Sequence, residues 1–425
     1  MASSQTPRSA PPARRSPRIL ISEGSSLSAR ETVTALGLAG HRVEILSSDP
    51  LCLARFSRFT DQVHPAPAAG HDPEGYLTAV LEVVARRRIE VLLPTHEQAY
   101  LLAAARPRLP AGLGIALADV AAFEQVQGKV ALAGLLSRLA VPHPDTEVLR
   151  SAEAFAAPRP LPFFAKTDCG TASTAVWRVA DAAAQARLAG ELEAAGAFDQ
   201  GVVAQGCVSG PLERLQAVFD RGRLVAHHAY RQLAEGPGGG DVLKISVRRP
   251  AARDHVARIG AALAWHGALS FDYVLDAVSG EPRFIDANPR LVEPMNAWLS
   301  GVDLAGALLD VSLGLAAPAQ AEGREGVVTR LGLMALMQAA RRGGRAEVFA
   351  TLIAMTAGVG RFRGSVEELV PLTRDPGCAL PLARVLAELL ASPAKAETLP
   401  ARTIDAYSLT PAAIAMIRGW TRTDG

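Results

Sequence analysis

The stretch ALSFDYVLDAVSGEPRFIDANPR, residues 268–290, has the pattern of a β-hairpin whose loop lies near DAVSGE. Asp286 and Asn288 are two residues apart in the second strand, so their side chains point to the same face of the hairpin. Asp272, in the first strand, can lie opposite them. Two carboxylates and an amide oxygen on one face form the all-oxygen set that suits Mg²⁺ bridging to substrate phosphates. From these residues alone, the alternative is the polar outer face of an ordinary hairpin.

Lysine is rare in this chain, which has four lysines against forty arginines. A lysine that is present despite this bias is expected where a compact ammonium group is needed. Lys129 begins a predicted helix, and Lys166 ends the apolar strand PFFAK just before the small-residue loop TDCGTAST at 167–174. Backbone N–H groups of such a loop can bind phosphate oxygens, with the ammonium group over a neighbouring phosphate. The alternative is a snorkelling lysine beside a solvated turn.

The pattern of strands and helices changes along the chain. From residue 18 they alternate, as in RILIS, LSARETVTALGLAG and HRVEILS, which is typical of a parallel sheet covered by helices. Between 161 and 233, apolar runs are joined by short turns, which favours an antiparallel sheet. The predicted fold class is therefore α/β combined with α+β. The predicted regions are a disordered tail at 1–17, a Rossmann-like α/β domain at 18–120, a central domain at 121–319 with a lid at about 143–208, and a helical region at 320–425.

The composition narrows the classes of function. With 49% apolar and 20% charged residues, the chain can bury a sizeable core. A net charge of only +2 argues against a dedicated binder of nucleic acid or of an anionic membrane. The four cysteines are far apart without C-x-x-C spacing, which argues against a disulfide framework and a structural zinc site and favours a reducing, cytoplasmic location. The Ser-, Pro- and Arg-rich start is expected to be a disordered tail, with a transit peptide as the alternative.

Taken in order, these features resemble the ATP-grasp superfamily over residues 18–315, in the arrangement of the carboxylate–amine ligases and carbamoyl-phosphate-synthase-like proteins. The most specific match is FIDANPR, which is close to the family's acidic-x-Asn-Pro-Arg signature. The α/β region is similar to the domain that precedes the grasp. Four segments match in addition. QVQGKVALAGLLSRLAVPHPDT (125–146) is similar to the family's lysine-bearing helix, and PFFAKTDCGTASTAVWRV (162–179) is similar to its lid strands with their phosphate loop. VVAQGCVSGPLE (202–213) is similar to its adenine and ribose segment, and GVDLAGALLDVSLG (301–314) is similar to the region after the signature.

The resemblance implies a site for ATP and Mg²⁺, or alternatively Mn²⁺. Lys129 and Lys166 would bind the ATP phosphates, and Arg290 would face the transferred phosphoryl group or an acyl-phosphate. The implied metal ligands are Asp272, Asp286 and Asn288. The other implied nucleotide contacts are Gly170, Ser173 and Thr174 in the phosphate loop, and Gln205, Gly206, Cys207, Val208 and Glu213 in the adenine and ribose segment.

The substrate side of the implied site is less defined. Arg231 and Lys244 flank the glycine-rich segment EGPGGGD at 235–241, which can close over the substrate, and both are implied catalytic residues together with Arg290. Three residues that follow the signature are expected to line an acceptor pocket or, as the alternative, to pack at a domain joint. They are Glu293, Asn296 and Trp298.

Five positions depart from the family pattern. Both implied metal carboxylates, Asp272 and Asp286, are aspartates where glutamate is usual. Gly206 stands where an acidic residue near the adenine amine is usual. In the phosphate loop, Ala172 and Ala175 replace common glycines, so the backbone is less free to wrap a phosphate. These changes bear on nucleotide affinity more than on the fold.

The chemistry that the resemblance implies is carbon–nitrogen ligation. A carboxylate is a poor electrophile because its leaving group would be oxide, and phosphorylation by ATP supplies a better one before an amine attacks. The expected partners are a small-molecule carboxylate and amine, both amino-acid-like, and a homodimer is left open. The alternatives are carboxylation through carboxyphosphate and a catalytically silent nucleotide-binding regulatory protein. The region 320–425 matches no family feature, and it caps the pocket, mediates dimerisation or docks a partner.

Overall fold

The computed structural model describes residues 16–168, 175–369 and 373–422. Across these ranges the strands form a parallel sheet of four strands, an antiparallel sheet of four strands and a mixed sheet of seven. The three sheets confirm the predicted combination of α/β and α+β architecture. Among the helices in these ranges, none combines the length and apolarity needed to cross a membrane.

The N-terminal region is the predicted parallel sheet covered by helices. Its strands alternate with helices, and side chains of Ser26 and Asp72 cap the first two helices by accepting from backbone N–H groups. The elements are β1 (Ile19–Ile21), α1 (Leu27–Leu38), β2 (Val43–Ser47), β3 (Thr60–Pro65), α2 (Pro73–Arg87), β4 (Val91–Leu93), α3 (Gln98–Ala104) and α4 (Val120–Gln127).

The strand order of this sheet is β3-β2-β1-β4, so the chain leaves β1 in one direction and returns to pair with its other side. Residues that follow β1 and β4 therefore converge at the carboxyl edge of the sheet, where ligands of open α/β sheets bind. Ser22 follows β1 and Thr95 follows β4, and the Thr95 backbone N–H donates to the Ser22 hydroxyl at 3.0 Å. This pairing places the next residue, His96, at the edge that faces the central domain.

The lid is a separate antiparallel sheet with the order β5-β8-β6-β7. It has an apolar core of its own, which includes Phe155, Phe163 and Phe198, as expected of a unit that can move relative to its neighbours. Its elements and the helix before it are α5 (Lys129–Arg138), β5 (Thr146–Leu149), α6 (Ala152–Ala156), β6 (Phe163–Thr167), β7 (Val176–Val179), α7 (Ala182–Ala194) and β8 (Val202–Gly206).

The central sheet contains the predicted hairpin as its edge pair and has the order β13-β12-β9-β10-β11-β14-β15. A continuous apolar core, which includes Leu20, Phe123, Trp265 and Phe271, joins it to the N-terminal sheet. The elements up to the C-terminal region are β9 (Leu212–Asp220), β10 (Arg223–Glu235), β11 (Asp241–Val247), α8 (Pro250–Ala262), β12 (Gly267–Leu275), β13 (Pro282–Asn288), α9 (Met295–Ser300) and α10 (Leu304–Ser312).

The C-terminal region adds two short strands to its predicted helices. β14 pairs with β11, and β15 pairs with β14, so the region extends the central sheet. Strands of three and two residues are too short to show an alternating pattern in the sequence. The elements are β14 (Val328–Arg330), α11 (Gly332–Ala357), β15 (Val366–Glu367), α12 (Ala379–Ala391), α13 (Lys395–Asp405) and α14 (Pro411–Arg422).

Candidate active site

The polar face of the hairpin forms as the sequence predicts. Asp272 on β12 and Asp286 on β13 are directly opposed in the antiparallel register, so their side chains share one face. Asn288 is two residues further along β13 and points the same way. The Asn288 side-chain oxygen accepts a hydrogen bond of 2.6 Å from the Arg290 guanidinium. The three residues fit a hard divalent cation by the chemistry of their donors, two carboxylates and an amide oxygen.

The lysine of α5 and the lysine of β6 meet at this hairpin. Lys129 Nζ donates to the Asp286 carboxylate at 2.6 Å, and Lys166 Nζ donates to the Ile285 carbonyl oxygen at 2.7 Å. Asp168, which follows β6, accepts from the Val130 backbone N–H at 3.0 Å and so ties the end of the lid strand to the start of α5. Two ammonium groups that are 157 and 119 residues away from the hairpin in sequence are thereby placed over one strand.

The electrostatics of this group leave positive charge beside Asp286. Burial alone would raise the pKa of Asp286, but the ammonium groups of Lys129 and Lys166 hold the pKa below its ordinary value. Burial, with Lys129 nearby, lowers the pKa of Lys166 to about 8 against the opposing effect of Asp286. The two ammonium groups carry more positive charge than the single Asp286 carboxylate offsets, so a second anion beside Lys129 and Lys166 would balance the remainder.

Asp272 has a different partner from Asp286. Its carboxylate lies 3.3 Å from Nε of Arg214, whose guanidinium also pairs with Asp241. Burial raises the pKa of Asp272, and Arg214 only partly opposes this effect. The two opposed aspartates are therefore held by cations from opposite sides, Asp286 by the lysines and Asp272 by an arginine of the central sheet.

A narrow cleft between the lid and α5 brings part of the predicted adenine segment to the lysines. Gln205, at the end of β8, lines this cleft together with Lys166, Ile285 and His143. Gly206 follows it in sequence, Cys207 is exposed, and Val208 is half-buried, and none of the three lines the cleft. The predicted phosphate-loop residues Gly170, Ser173 and Thr174 lie outside the described residues.

A cavity of about 110 Å³ opens on the other side of the hairpin. Its lining includes Lys129, the strand end from Asp286 to Arg290, Val176 of the lid strand β7, and residues of the N-terminal region. Its contributors from that region are His96, Glu97, Ala99, Tyr100, Phe123 and Gln127. Burial, followed by the charge of Arg290, holds the pKa of His96 well below its ordinary range, so its imidazole is neutral.

Three predicted site residues belong to structural ion clusters away from both cavities. The Glu213 carboxylate is fully buried and accepts from Arg231 at 2.9 Å, from Arg249 at 2.7 Å and from the Tyr273 hydroxyl at 3.0 Å. These bonds leave it turned into the central sheet, so the structure does not bring Glu213 or Arg231 to the cleft that Gln205 and Lys166 line. The reason is the register of β9 and β10. Glu213 and Arg231 are directly opposed in it, so their side chains lie next to each other on the same face of the sheet.

Lys244, the third of these residues, lies at the centre of a buried carboxylate cluster. Its Nζ is 2.5 Å from Glu293 and 2.9 Å from Glu368, and its side chain is only 1% exposed. Glu31 of α1 completes the cluster, with one carboxylate oxygen of each glutamate within 4.8 Å of the others. The cluster joins all three regions of the chain, which favours the domain-joint alternative for Glu293.

Sequence reasoning missed several of these residues. His96 and Gln127 were not singled out, although PTHEQ at 94–98 follows a buried strand of the parallel sheet, the position where ligand-binding residues are expected. Glu31 and Glu368 carry no signal of their own, because an acidic residue in a helix or just after a short strand usually faces solvent.

Comparisons with known proteins support the fold. No protein-family model and no curated protein matches the chain. Among solved structures, the biotin carboxylase domain dimer of Hydrogenobacter thermophilus 2-oxoglutarate carboxylase, in complex with magnesium ADP, ADP and bicarbonate, has a TM-score of 0.59 at 15% identity, over 73% of each chain. The L-amino acid ligase from Bacillus licheniformis has a TM-score of 0.54 at 16% identity, over 71% of this chain and 75% of the other. The chain has the ATP-grasp fold.

A third solved structure with the ATP-grasp fold is N5-carboxyaminoimidazole ribonucleotide synthetase from Thermus thermophilus. It has a TM-score of 0.56 at 19% identity, over 74% of this chain and 83% of the other. The resemblance drawn from FIDANPR and the two lysines is thereby confirmed for the fold. The individual site residues stay predictions, because a shared fold hosts different sites.

Proposed function

We propose that this ATP-grasp chain binds ATP and Mg²⁺ between its lid and its central sheet, and that it uses ATP to couple a carboxylate to an amine. The observation that carries the proposal is the meeting of Lys129, Lys166, Asp272 and Asp286 beside a cavity that reaches Arg290. The similar structures include an amino acid ligase and a carboxylase domain in complex with magnesium ADP, which supports an ATP-dependent reaction of a carboxylate.

The charges fit a polyanion with a divalent cation. Two ammonium groups face the single carboxylate of Asp286, whereas Asp272 is already matched by Arg214. On nucleotide binding, Lys129 would exchange Asp286 for a phosphate oxygen, and Asp286 would turn to the cation with Asp272 and Asn288. When bound, Mg²⁺ supplies charge neutralisation on the transferred phosphoryl group.

The proposed reaction has two steps. A carboxylate oxygen forms a bond to the γ-phosphorus of ATP as the bond to ADP breaks, which gives an acyl-phosphate and ADP. The amine nitrogen then forms a bond to the acyl carbon as the bond to phosphate breaks, and the nitrogen loses a proton to solvent. The Arg290 guanidinium, which lines the cavity at the end of β13, would offset the negative charge of the acyl-phosphate.

Nucleotide entry requires movement of the lid. The cleft lined by Gln205, Lys166 and Ile285 measures only about 10 Å³ in the structure, room for about one water molecule. The lid has its own core, so it can rotate away from α5 without exposing the apolar interior of the rest of the chain. The proposed adenine position is thus reached by opening and is closed over the bound nucleotide.

Replacing Lys166 with methionine is expected to weaken binding of magnesium ADP by about 10- to 100-fold, because a hydrogen bond to a charged group contributes roughly 1.5–3 kcal/mol. Methionine keeps the length of the buried side chain and removes only its ammonium group. Isothermal titration calorimetry measures the change. Lys395→Met is the matched control, because this lysine is half-exposed on α13 and should leave the affinity unaltered. Equal affinity of Lys166→Met and the wild type would contradict the phosphate assignment.

The reaction itself is tested by ADP release from the purified chain with ATP, Mg²⁺ and pools of L-amino acids and small amines, followed by mass spectrometry of the product. ADP release that needs both a carboxylate and an amine supports the proposal. Release that needs only bicarbonate and an acceptor would favour the carboxyphosphate alternative instead. A thermal shift with ATP but no release with any pool would indicate the silent binding protein.

A further inference from the structure

The cavity beside Arg290 is lined by polar atoms that lack hydrogen-bond partners. Nε of Arg290, Nδ1 of His96 and Oε1 of Gln127 are each buried and make no hydrogen bond within the described part of the chain. All three side chains line the same cavity. Because a buried polar group without a partner costs about 1–3 kcal/mol, three such groups around one space indicate a ligand that satisfies them.

The C-terminal region packs against His96, one of the residues that line this cavity. The rings of His96 and Tyr407 lie 3.9 Å apart, the Glu97 carboxylate accepts from the Leu409 backbone N–H at 2.6 Å, and the Gln98 amide donates to the Tyr407 carbonyl oxygen at 3.3 Å. Three consecutive residues at the edge of the parallel sheet thus hold the segment after α13. Tyr407 covers the imidazole of His96, which lines the cavity.

Besides Arg290, three charged side chains line the cavity, and each has a partner: Lys129 and Asp286 pair with each other at 2.6 Å, and the Glu97 carboxylate accepts from the Leu409 backbone N–H at 2.6 Å. Arg290 is a permanent cation with a free direction for an oxygen acceptor, whereas the His96 imidazole and the Gln127 amide are neutral. Arg290 belongs to the hairpin, whereas His96 and Gln127 belong to the N-terminal region. A volume of about 110 Å³ is below the roughly 300–1,000 Å³ of sites for drug-sized ligands, so only a small molecule fits.

We propose that this cavity binds a small carboxylate end to end, with its carboxylate at Arg290 and its far polar group against His96 and Gln127, beneath Tyr407. This assignment rests on the proposed function in one respect: the bound carboxylate is the substrate that ATP phosphorylates. His96 and Gln127 then decide which carboxylate is accepted, because an analogue without the far polar group leaves both of them unsatisfied.

The experiment is a binding assay that needs no turnover. The chain saturated with magnesium ADP is titrated with single L-amino acids, acetate, lactate and succinate, and with the carboxamide of every acid that binds, by calorimetry. We expect binding by at least one acid that carries a second polar group, loss of binding by its carboxamide, and weaker binding by acetate. His96→Ala and Gln127→Leu are each expected to weaken that binding at least tenfold while the affinity for magnesium ADP is kept.

His71→Ala is the matched control, since this histidine is exposed and pairs with Asp405 on the same C-terminal region. Binding by no acid in the panel, or equal binding by the wild type and both cavity variants, would overturn the assignment. Two variants on different elements are used so that misfolding of one, detected by thermal unfolding, leaves the other to decide. Acids that bind with this pattern but never stimulate ADP release would leave the cavity assignment standing and remove the proposed function.

Discussion

Asp286→Asn is expected to lower the rate of ATP consumption by at least about 100-fold, the loss typical of removing one electrostatic stabiliser of a transition state. In the structure the Asp286 carboxylate accepts from Lys129 at 2.6 Å and from the Ala287 backbone N–H at 2.9 Å. Asparagine has the same size, and its side-chain oxygen can accept both bonds. It removes the negative charge that a divalent cation requires. The fold is expected to persist, because a neutral acceptor still satisfies both donors. ADP release with the substrates found in the pool measures the effect.

Two further measurements separate the proposed metal role of Asp286 from a structural one. Glu281→Gln changes the same charge on the same hairpin at an exposed position, 56% accessible beside Arg283, and should leave the rate unaltered. Raising the Mg²⁺ or Mn²⁺ concentration should recover part of the rate of Asp286→Asn, because weaker cation binding is offset by mass action. A near-normal rate in this variant would remove Asp286 from the metal site.

Those parts of the fold that depend on local pattern could be predicted from the sequence. The hairpin around DAVSGE, the alternation of strands and helices after residue 18 and the strands that carry Lys166 and Gln205 all form where their periodicity indicates. Within the site, the two-residue spacing of Asp286 and Asn288 fixes their common face without any tertiary information. Backbone periodicity therefore predicted the part of the candidate site that lies on the hairpin.

The other half depends on contacts between distant segments. His96 contacts Tyr407, which lies 311 residues further along the chain, because α14 packs on α2 and α3. Arg30 pairs with Asp375 at 2.8 Å, and both side chains are fully buried, yet each residue type by itself predicts an exposed position. Glu213 is an example of the converse. Its segment predicts a nucleotide contact, but the sequence did not reveal that Arg231 and Arg249 pair with its carboxylate. Long-range pairing of charges leaves no local signal in a single sequence.

Lys244→Met is expected to lower the free energy of unfolding by about 3–5 kcal/mol at pH 8, the usual loss when one partner of a buried ion pair is removed. Methionine fills nearly the same volume, so the loss comes from charge. Without the ammonium group, Glu31, Glu293 and Glu368 face one another with oxygens within 4.8 Å and no cation between them. Urea unfolding monitored by circular dichroism measures the change. Wild-type stability in this variant at pH 8 would show that the ammonium group contributes nothing to the joint between the three regions.

The pH dependence and a matched variant test the electrostatic explanation. Burial and then the charge of Glu368 raise the pKa of Glu31 well above its ordinary value, and burial also raises that of Glu293. A carboxyl group with a raised pKa in the folded state stabilises the fold below its unfolded pKa and loses this contribution as the pH rises through its folded pKa, so the deficit of Lys244→Met should shrink at pH 5.

Glu31→Gln should have the opposite effect at pH 8. Its amide oxygen can keep the 2.9 Å bond from the Met295 backbone N–H, while its NH₂ group gives the unpartnered Oε1 position a donor toward Glu368. Opposite signs for two substitutions in one cluster would follow from charge, whereas a loss of packing would make both variants less stable.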